Sequence, residues 1–355
     1  MGSCCIKNSK NPGESSISCS SDIFGKSISV EDFAIKKIIG KGAFAKVFLV
    51  RNKQEDKIYA MKVLRKKDIR EVEEKHRILL EREVLANIDH PFIIKLHTAF
   101  QSSEKLYFVL DFVNGGELYT HLTNEGIFSV EKAKFYAAEI TLALECLHQN
   151  DIIYRDLKPQ NILLDYQGHI KLVDFGLCKK LSKKGLAYSI LGSPDYIAPE
   201  ILTEEGHDKC VDWWSLGILI YRMLSGRCPF TDVDPESIFE RIQNDDLNIP
   251  DSFTEDQQSI VSDLLEKNPK RRLGSGPQDA EIIKDHPFFE GIDWEELMHK
   301  RIQPPFSPPV ADEEDLCLID PQFVNEKLRE SDFKRKTLTS SIIEMENQSK
   351  ASREG

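Results

Sequence analysis

The chain carries no excess of basic residues: Lys and Arg total 47 against 59 Asp and Glu, a formal net charge of −12 over 355 residues. A general nucleic-acid binder needs a basic footprint that releases counterions, so no nucleic-acid partner is expected. Cysteine spacings that bind metal are also missing. The 8 cysteines are scattered, with no CxxC and no matching Cys/His spacing. That suggests neither a zinc site nor a disulfide framework, and fits reduced thiols in the cytoplasm. No apolar run is long enough to cross a bilayer. The most apolar stretch, Val211 to Leu224, is short and carries Asp212 and Arg222. A stretch apolar nearly all round reads instead as the buried hub of a helical lobe. The N terminus has no apolar core of a secretory signal, and neither an internal repeat nor an EF-hand loop is visible.

What is present falls into zones. Residues 1–32 are rich in Ser, Lys, Asn and Gly and read as a flexible leader. Phe33 to Ile39, Lys46 to Arg51 and Lys57 to Leu64 have strand composition and partial alternation, predicting three antiparallel strands. Lys66 to Ile88 places Ile78, Leu79, Leu85 and Ile88 at helical spacing, predicting one helix packed on that sheet. Ser129 to Gln149 puts Ala133, Tyr136, Ala137, Ile140, Leu144 and Leu147 on one helical face, with Ser129 as N-cap. Short β-like runs follow at Ile162 to Leu164 and His169 to Val173, and after Phe289 the composition shifts to Pro, Asp and Glu. The expectation is an α+β fold: a small β-rich lobe (33–110), a hinge around Asp111 to Asn114, a larger helical lobe (114–289), and a tail (290–355) with little core of its own.

The chemistry lies in an ordered set. Gly40-Lys41-Gly42-Ala43-Phe44-Ala45-Lys46-Val47 joins two strands, and its glycines would let backbone N–H groups approach phosphates. By itself this loop looks like any flexible hairpin. Lys62 follows in Tyr-Ala-Met-Lys, then Asp156, Lys158 and Asn161 in Tyr-Arg-Asp-Leu-Lys-Pro-Gln-Asn, then Asp174 in Asp-Phe-Gly, then Ala198-Pro199-Glu200. A transferring phosphoryl group needs its charge held, its metal ions clamped and its acceptor hydroxyl aimed, and these residue types serve each task. In this order they resemble the eukaryotic protein kinases, specifically the AGC serine/threonine group typified by protein kinases A and B, from about Phe33 to Phe289.

The resemblance implies a bilobal protein kinase fold, ATP as phosphoryl donor and Mg²⁺ as its metal. Loop 40–47 would cover the phosphates, with Ala45 where the family has its third glycine. Lys62 would bridge the α- and β-phosphates to Glu81; Glu81 is favoured over Glu83 because Leu85 then points inward beside Leu96, Phe175 and Tyr154. Asp156 would take the hydroxyl proton, Lys158 would neutralise the moving phosphoryl group, and Asn161 and Asp174 would hold the metal. Adenine would lie between Ile39, Val47 and Ala60 on one side and Leu163 on the other. Hinge backbone near Asp111 and Val113 would bond it, with Leu110 behind. Ser189 sits at the activating phosphosite, with the Arg155 guanidinium next to the catalytic Asp156 to meet the phosphate, which implies an upstream activating kinase. Ser193, at a family threonine position, would reach Asp156 and Lys158; Asp212 would hold the catalytic-loop backbone; Glu200 would pair with Arg272.

Glu117 matches an acidic residue that contacts the ribose and a substrate arginine three positions before the acceptor, implying protein substrates with an upstream Arg. Two other acidic positions of protein kinase A are Gln160 and Arg222 here. A cation at Arg222 should weaken any demand for arginine two positions before the acceptor. In the tail, Ile319 replaces the first aromatic of the AGC Phe-Asp-x-x-Phe segment, and Lys336 replaces the second aromatic of a hydrophobic motif. Gly2 beside Cys4 and Cys5 forms a candidate dual-lipidation leader, departing from the pattern at Ile6, that would add membrane contact. Two rivals stand against a kinase. A pseudokinase scaffold has support only from Ala45, and a small-molecule phosphotransferase leaves the segment from Ser189 to Glu200 unexplained.

Overall fold

The computed structural model describes residues 28–42, 45–181, 185–189, 191–203 and 206–329. The leader motif at Gly2, Cys4 and Cys5, loop residues Ala43 and Phe44, and the segment around Lys336 lie outside them. In chain order come β1 (Phe33–Lys41), β2 (Ala45–Asn52), β3 (Ile58–Arg65), α1 (Val72–Asn87), β4 (Leu96–Gln101) and β5 (Lys105–Leu110). Then follow α2 (Leu118–Glu125), α3 (Val130–Gln149), β6 (Ile152–Ile153), β7 (Ile162–Leu164), β8 (Ile170–Leu172) and β9 (Lys179–Lys180). The last helices are α4 (Cys210–Ser225), α5 (Pro235–Asn244), α6 (Glu255–Leu264), α7 (Ala280–Lys284), α8 (Trp294–Met298) and α9 (Pro321–Val324).

The chain divides into two compact units. Among the described residues, 28–70, 98–109 and 320–329 form one; Glu71–His97 and Leu110–Ile319 form the other. The first is built on a five-stranded sheet in the order β1-β2-β3-β5-β4, with β1/β2 and β2/β3 antiparallel. Side chains alternate faces along a strand, and here one face supplies Ile38, Phe48, Val50, Tyr59, Met61 and Val63 to a single core. Phe100 stacks on Tyr107 at 4.7 Å within that core, extending it across β4 and β5.

In the second unit, α3 begins where expected: Ser129 Oγ accepts from Lys132 N at 3.2 Å. The single buried face read from its periodicity is too narrow, because 15 of its 20 residues are buried. α4 is the hub helix, with all but two of its 16 residues buried; it stops at Gly226, whose φ of 79° is costly for any residue with a Cβ.

The start of α1 also differs from the sequence expectation. The helix predicted from Lys66 starts only at Val72, because Asp68 and Ile69 donate back to Arg65 and Lys66 in a turn and Glu71 provides the N-cap with Glu74. The stretch Glu71–His97, read as part of the β-rich lobe, groups with the helical unit through Val84, Leu85 and Ile88. The tail is divided between the two units. Up to Ile319 it belongs to the helical unit, packed there by Trp294, Leu297, Met298, Ile302 and Phe306, while the part from Asp320 joins the sheet unit, where Phe323 packs on its core.

Candidate active site

In the sheet unit, Gly40 pairs with Val47, and Val47 pairs with Lys62. Val47 and Lys62 therefore share a face, and Ala60, two residues before Lys62, shares it too. It is the face opposite the one that carries Phe48 and Met61 into the core. A register irregularity between Ile38 and Gly40 contains Ile39. Neither Gly40 nor Gly42 has a positive φ, and a Cβ there would meet only Val47 at 3.6 Å or the Ala45 carbonyl at 3.9 Å. Among the described residues nothing demands glycine at either position. The missing Cβ leaves room for an outside group such as phosphate. Lys46 and Lys41 meet a tail carboxylate instead of open solvent alone, Glu326 at 3.1 and 3.9 Å.

In the helical unit, Asp156 is buried and sits at the centre of a bonded cluster. Lys158 Nζ lies 3.1 and 2.9 Å from its two carboxylate oxygens, Asn161 Nδ2 donates to Oδ2 at 2.7 Å, and Ser193 Oγ donates to Oδ1 at 3.0 Å. Lys158 also donates to Ser193 Oγ at 2.9 Å, closing the ring. Both side-chain hydrogen bonds of Asn161 use its Nδ2, the second to the Asp156 carbonyl at 2.9 Å. Its side-chain oxygen is thereby left as a hard donor. Asp174 is exposed, with Oδ1 accepting only weakly from Gly176 N at 3.3 Å. An amide oxygen and a carboxylate fit Mg²⁺ supplemented by phosphate and water, but are too few to form a metal cage alone. Arg155 and Asp174 have φ of 66° and 58°, left-handed values that non-glycine residues hold only where surrounding structure enforces them.

For Arg155 that enforcement comes from α4. Asp212, wholly buried, accepts from the backbone N–H groups of Tyr154 at 2.9 Å and Arg155 at 2.8 Å. Tyr154 bonds the Val173 carbonyl and packs edge-on against Phe175 at 5.3 Å, tying the loop that carries Asp156 to Asp-Phe-Gly. Leu85 and Phe175 are buried in the same core, with Leu96 packed against it. On α1, Glu81 is buried while Glu83 is exposed and paired with Lys180 at 3.4 Å.

Along the segment after Asp174, the Arg155 guanidinium donates to the carbonyls of Leu177 and Cys178 and to Ser189 Oγ at 3.4 Å. Ser189 itself is exposed. The far end is fixed differently: Arg272 grips both oxygens of Glu200, at 2.5 and 2.8 Å, in a fully buried fork. At the hinge, Asp111 N donates to the Lys95 carbonyl at 3.0 Å, and its carboxylate is held by His97 at 2.7 Å and Lys171 at 3.3 Å. Burial alone would raise that carboxyl; these two partners outweigh burial and hold it down to about 2. Val113 is buried beyond it, and an isolated antiparallel bridge brings Glu117 against Leu163. Burial raises the Glu117 carboxyl, and no hydrogen bond or ion pair joins its side chain to another described residue.

A model of the protein kinase domain matches residues 33–289. The chain belongs to the protein kinase family. Serine/threonine-protein kinase gad8 of Schizosaccharomyces pombe is 48% identical over 300 residues, covering 84% of this chain and 52% of that protein. Serine/threonine-protein kinase YPK1 of Saccharomyces cerevisiae is 47% identical over 303 residues, covering 85% and 44%. Serine/threonine-protein kinase Sgk1 of Gallus gallus is 46% identical over 302 residues, covering 84% and 70%. Within the family these relatives group the chain with the AGC serine/threonine kinases. The chain spans about half the length of the first two relatives.

Several groups that shape this kinase site escaped sequence reading. His148, wholly buried on α3, bonds Asp212 through Nε2 at 2.9 Å and Asp279 through Nδ1 at 3.1 Å, and Trp213 also donates to Asp279 at 2.7 Å. Burial opposes charging this imidazole, yet the two carboxylates override it and lift its pKa to about 9. Glu139, fully buried, accepts from Ile170 N at 2.8 Å and bonds His169 at 2.6 Å, which fixes β8 just ahead of Asp174. Asn114 donates to the Asp312 and Asp315 carbonyls at 2.8 and 3.0 Å, clamping the tail beside the hinge. None stands in a motif; a histidine or glutamate among apolar helix residues is the only sequence trace, and it does not name its partner.

Proposed function

We propose that this chain is a protein kinase that transfers the γ-phosphate of ATP to serine or threonine hydroxyls of protein substrates with an arginine three positions upstream, and that phosphorylation of Ser189 by an upstream kinase activates it. The observation that carries the reading is the closed ring of Asp156, Lys158, Asn161 and Ser193. In the transfer, the substrate oxygen forms a bond to the γ-phosphorus as the bond to the β–γ bridging oxygen breaks, and ADP leaves with that electron pair. The hydroxyl proton passes to Asp156, whose position is set by three donors before substrate arrives. Lys158 offsets charge on the moving group, and Lys62 holds the α- and β-phosphates. Mg²⁺, held by Asn161 and Asp174, would neutralise the triphosphate.

A phosphate on Ser189 would carry roughly −1.5 to −2 charges to the oxygen that Arg155 already touches, replacing a weak 3.4 Å contact with charge-assisted bonds. Glu117, a carboxylate partly withdrawn from water without a cation, suits an incoming guanidinium. Dual lipidation at Gly2, Cys4 and Cys5 would bring a cytoplasmic enzyme to a membrane surface. The test is radiolabelled phosphate transfer from ATP, with Mg²⁺, to a serine peptide carrying arginine three positions upstream. Lys62→Met should abolish transfer, and Ser189→Ala should lose most of it. Undiminished transfer by Lys62→Met would reject the kinase reading; undiminished transfer by Ser189→Ala would reject the switch.

A further inference from the structure

Arg222 lies in the last turn of the hub helix α4, half-buried, with a guanidinium of five N–H donors. One nitrogen donates to Tyr196 Oη at 2.9 Å, and the guanidinium lies 5.3 Å from the centre of the Tyr119 ring. No carboxylate among the described residues pairs with it. The end of a helix favours a cation, which accounts for a positive charge there but not for the two tyrosines that hold it on one side.

Those two tyrosines stand close in sequence to residues that the kinase reading assigns to the substrate. Tyr196 stands three residues after Ser193, whose hydroxyl touches Asp156, the base for the acceptor. Tyr119 lies in the first turn of α2, two residues after the N-cap Glu117. Arg222 thus touches both the helix that starts beside Glu117 and the turn that follows Ser193, the two places between which a peptide with its acceptor at Asp156 and an arginine at Glu117 would lie. In an extended chain, side chains two residues apart point the same way and those an odd number apart point oppositely. An extended substrate would therefore turn the residue two before the acceptor to the same side as the acceptor, the side on which Ser193 meets Asp156 and the nearby Tyr196 holds Arg222.

We propose that Arg222 selects an anionic side chain, aspartate or glutamate, two positions before the acceptor, so that the preferred substrates carry arginine at −3 and an acid at −2. This rests on the kinase reading above and narrows its substrate class. The charge pattern across the groove is then alternating, Glu117 taking a cation and Arg222 an anion, which rejects consecutive arginines as well as attracting the mixed pair. Tyr119 and Tyr196 act as walls that keep the guanidinium out of free solvent, where such a contact would be worth little.

The test uses the full-length protein and four serine peptides that share arginine at −3 and differ only at −2: Glu, Ala, Lys or Arg. Two readouts are taken, kcat/KM for phosphoryl transfer and peptide binding by fluorescence anisotropy without turnover. The expected ranking is Glu above Ala by about fivefold, and Ala above Lys and Arg by a similar factor, the scale of one partly shielded charge pair. Arg222→Glu should invert the ranking, and Arg222→Gln should flatten it. If wild type accepts Arg at −2 as well as Glu, or if both variants keep the wild-type ranking, the inference is overturned while the kinase reading stands. Neither transfer to nor binding of any of the four peptides overturns both. The wild-type ranking decides by itself should a variant fold poorly.

Discussion

The loop from Tyr154 to Asn161 and the segment from Asp174 to Glu200 neighbour each other yet are built to different standards. In the loop, backbone N–H groups are pinned by a buried carboxylate and Asp156 is held by three donors, so its geometry exists before any ligand arrives. In the segment the Glu200 end is anchored by the buried fork to Arg272, while exposed Ser189 has one long side-chain contact, to Arg155, among the described residues. Chemistry needs preorganisation, since a misplaced base forfeits rate. A switch needs the opposite, a part held so weakly that one added charge decides its state.

Replacing Asp156, the base proposed above, breaks the comparison most severely. Asp156→Asn keeps the shape and most hydrogen bonds but accepts no proton, so kcat should fall about 10³-fold while urea unfolding changes little. A fall of less than tenfold would remove Asp156 from the proton's path. Next, Arg272→Ala strands the buried Glu200 carboxylate without its partner and should cost roughly 3 kcal/mol or more of stability, read from denaturant melts. An unchanged midpoint would mean that the anchor end of the segment is no firmer than Ser189.

Ser193→Ala removes one donor from Asp156 and one acceptor from Lys158, and kcat should drop about tenfold, as one charge-assisted hydrogen bond would. Ser193→Thr should restore it; if alanine and threonine variants behave alike, the ring is ornament rather than preorganisation. The smallest effect concerns pH. His148 has its pKa raised from 6.5 to about 9 in the fold, so its imidazolium contributes stability that is fully present below pH 6.5 and lost as pH rises through about 9. The stability gap between wild type and His148→Gln should therefore narrow between pH 6.5 and 9.5 in thermal melts. A gap constant over that range would show that His148 is neutral between its two carboxylates.

Local pattern was read well where the physics is local. The alternation in β2 and β3 marks which residues enter the sheet core, and the N-cap at Ser129 is set by a hydroxyl reaching three residues along the chain. The start of α1 was misread because periodicity in a charged stretch does not show where a turn gives way to helix; the Glu71 cap does. The ordered motifs mark Asp156, Asn161 and Asp174, and family resemblance supplied Asp212 and the Glu200–Arg272 pair. Neither source offered His148 bridging Asp212 to Asp279, since these partners lie 64 and 131 residues from it along the chain.

By itself the sequence determined the kind of chemistry: side chains able to hold phosphate, clamp a hard cation and accept a proton, in an order that resembles one family. Only the tertiary structure decided how those side chains are held. Asp212 reaches back 58 residues to fix the Tyr154 backbone, and Arg222 finds tyrosines on α2 and in the segment before α4. The reason is physical. Propensity and periodicity act over a turn or a strand, whereas a buried polar group must find its partner wherever packing brings one, and no short-range pattern encodes that meeting.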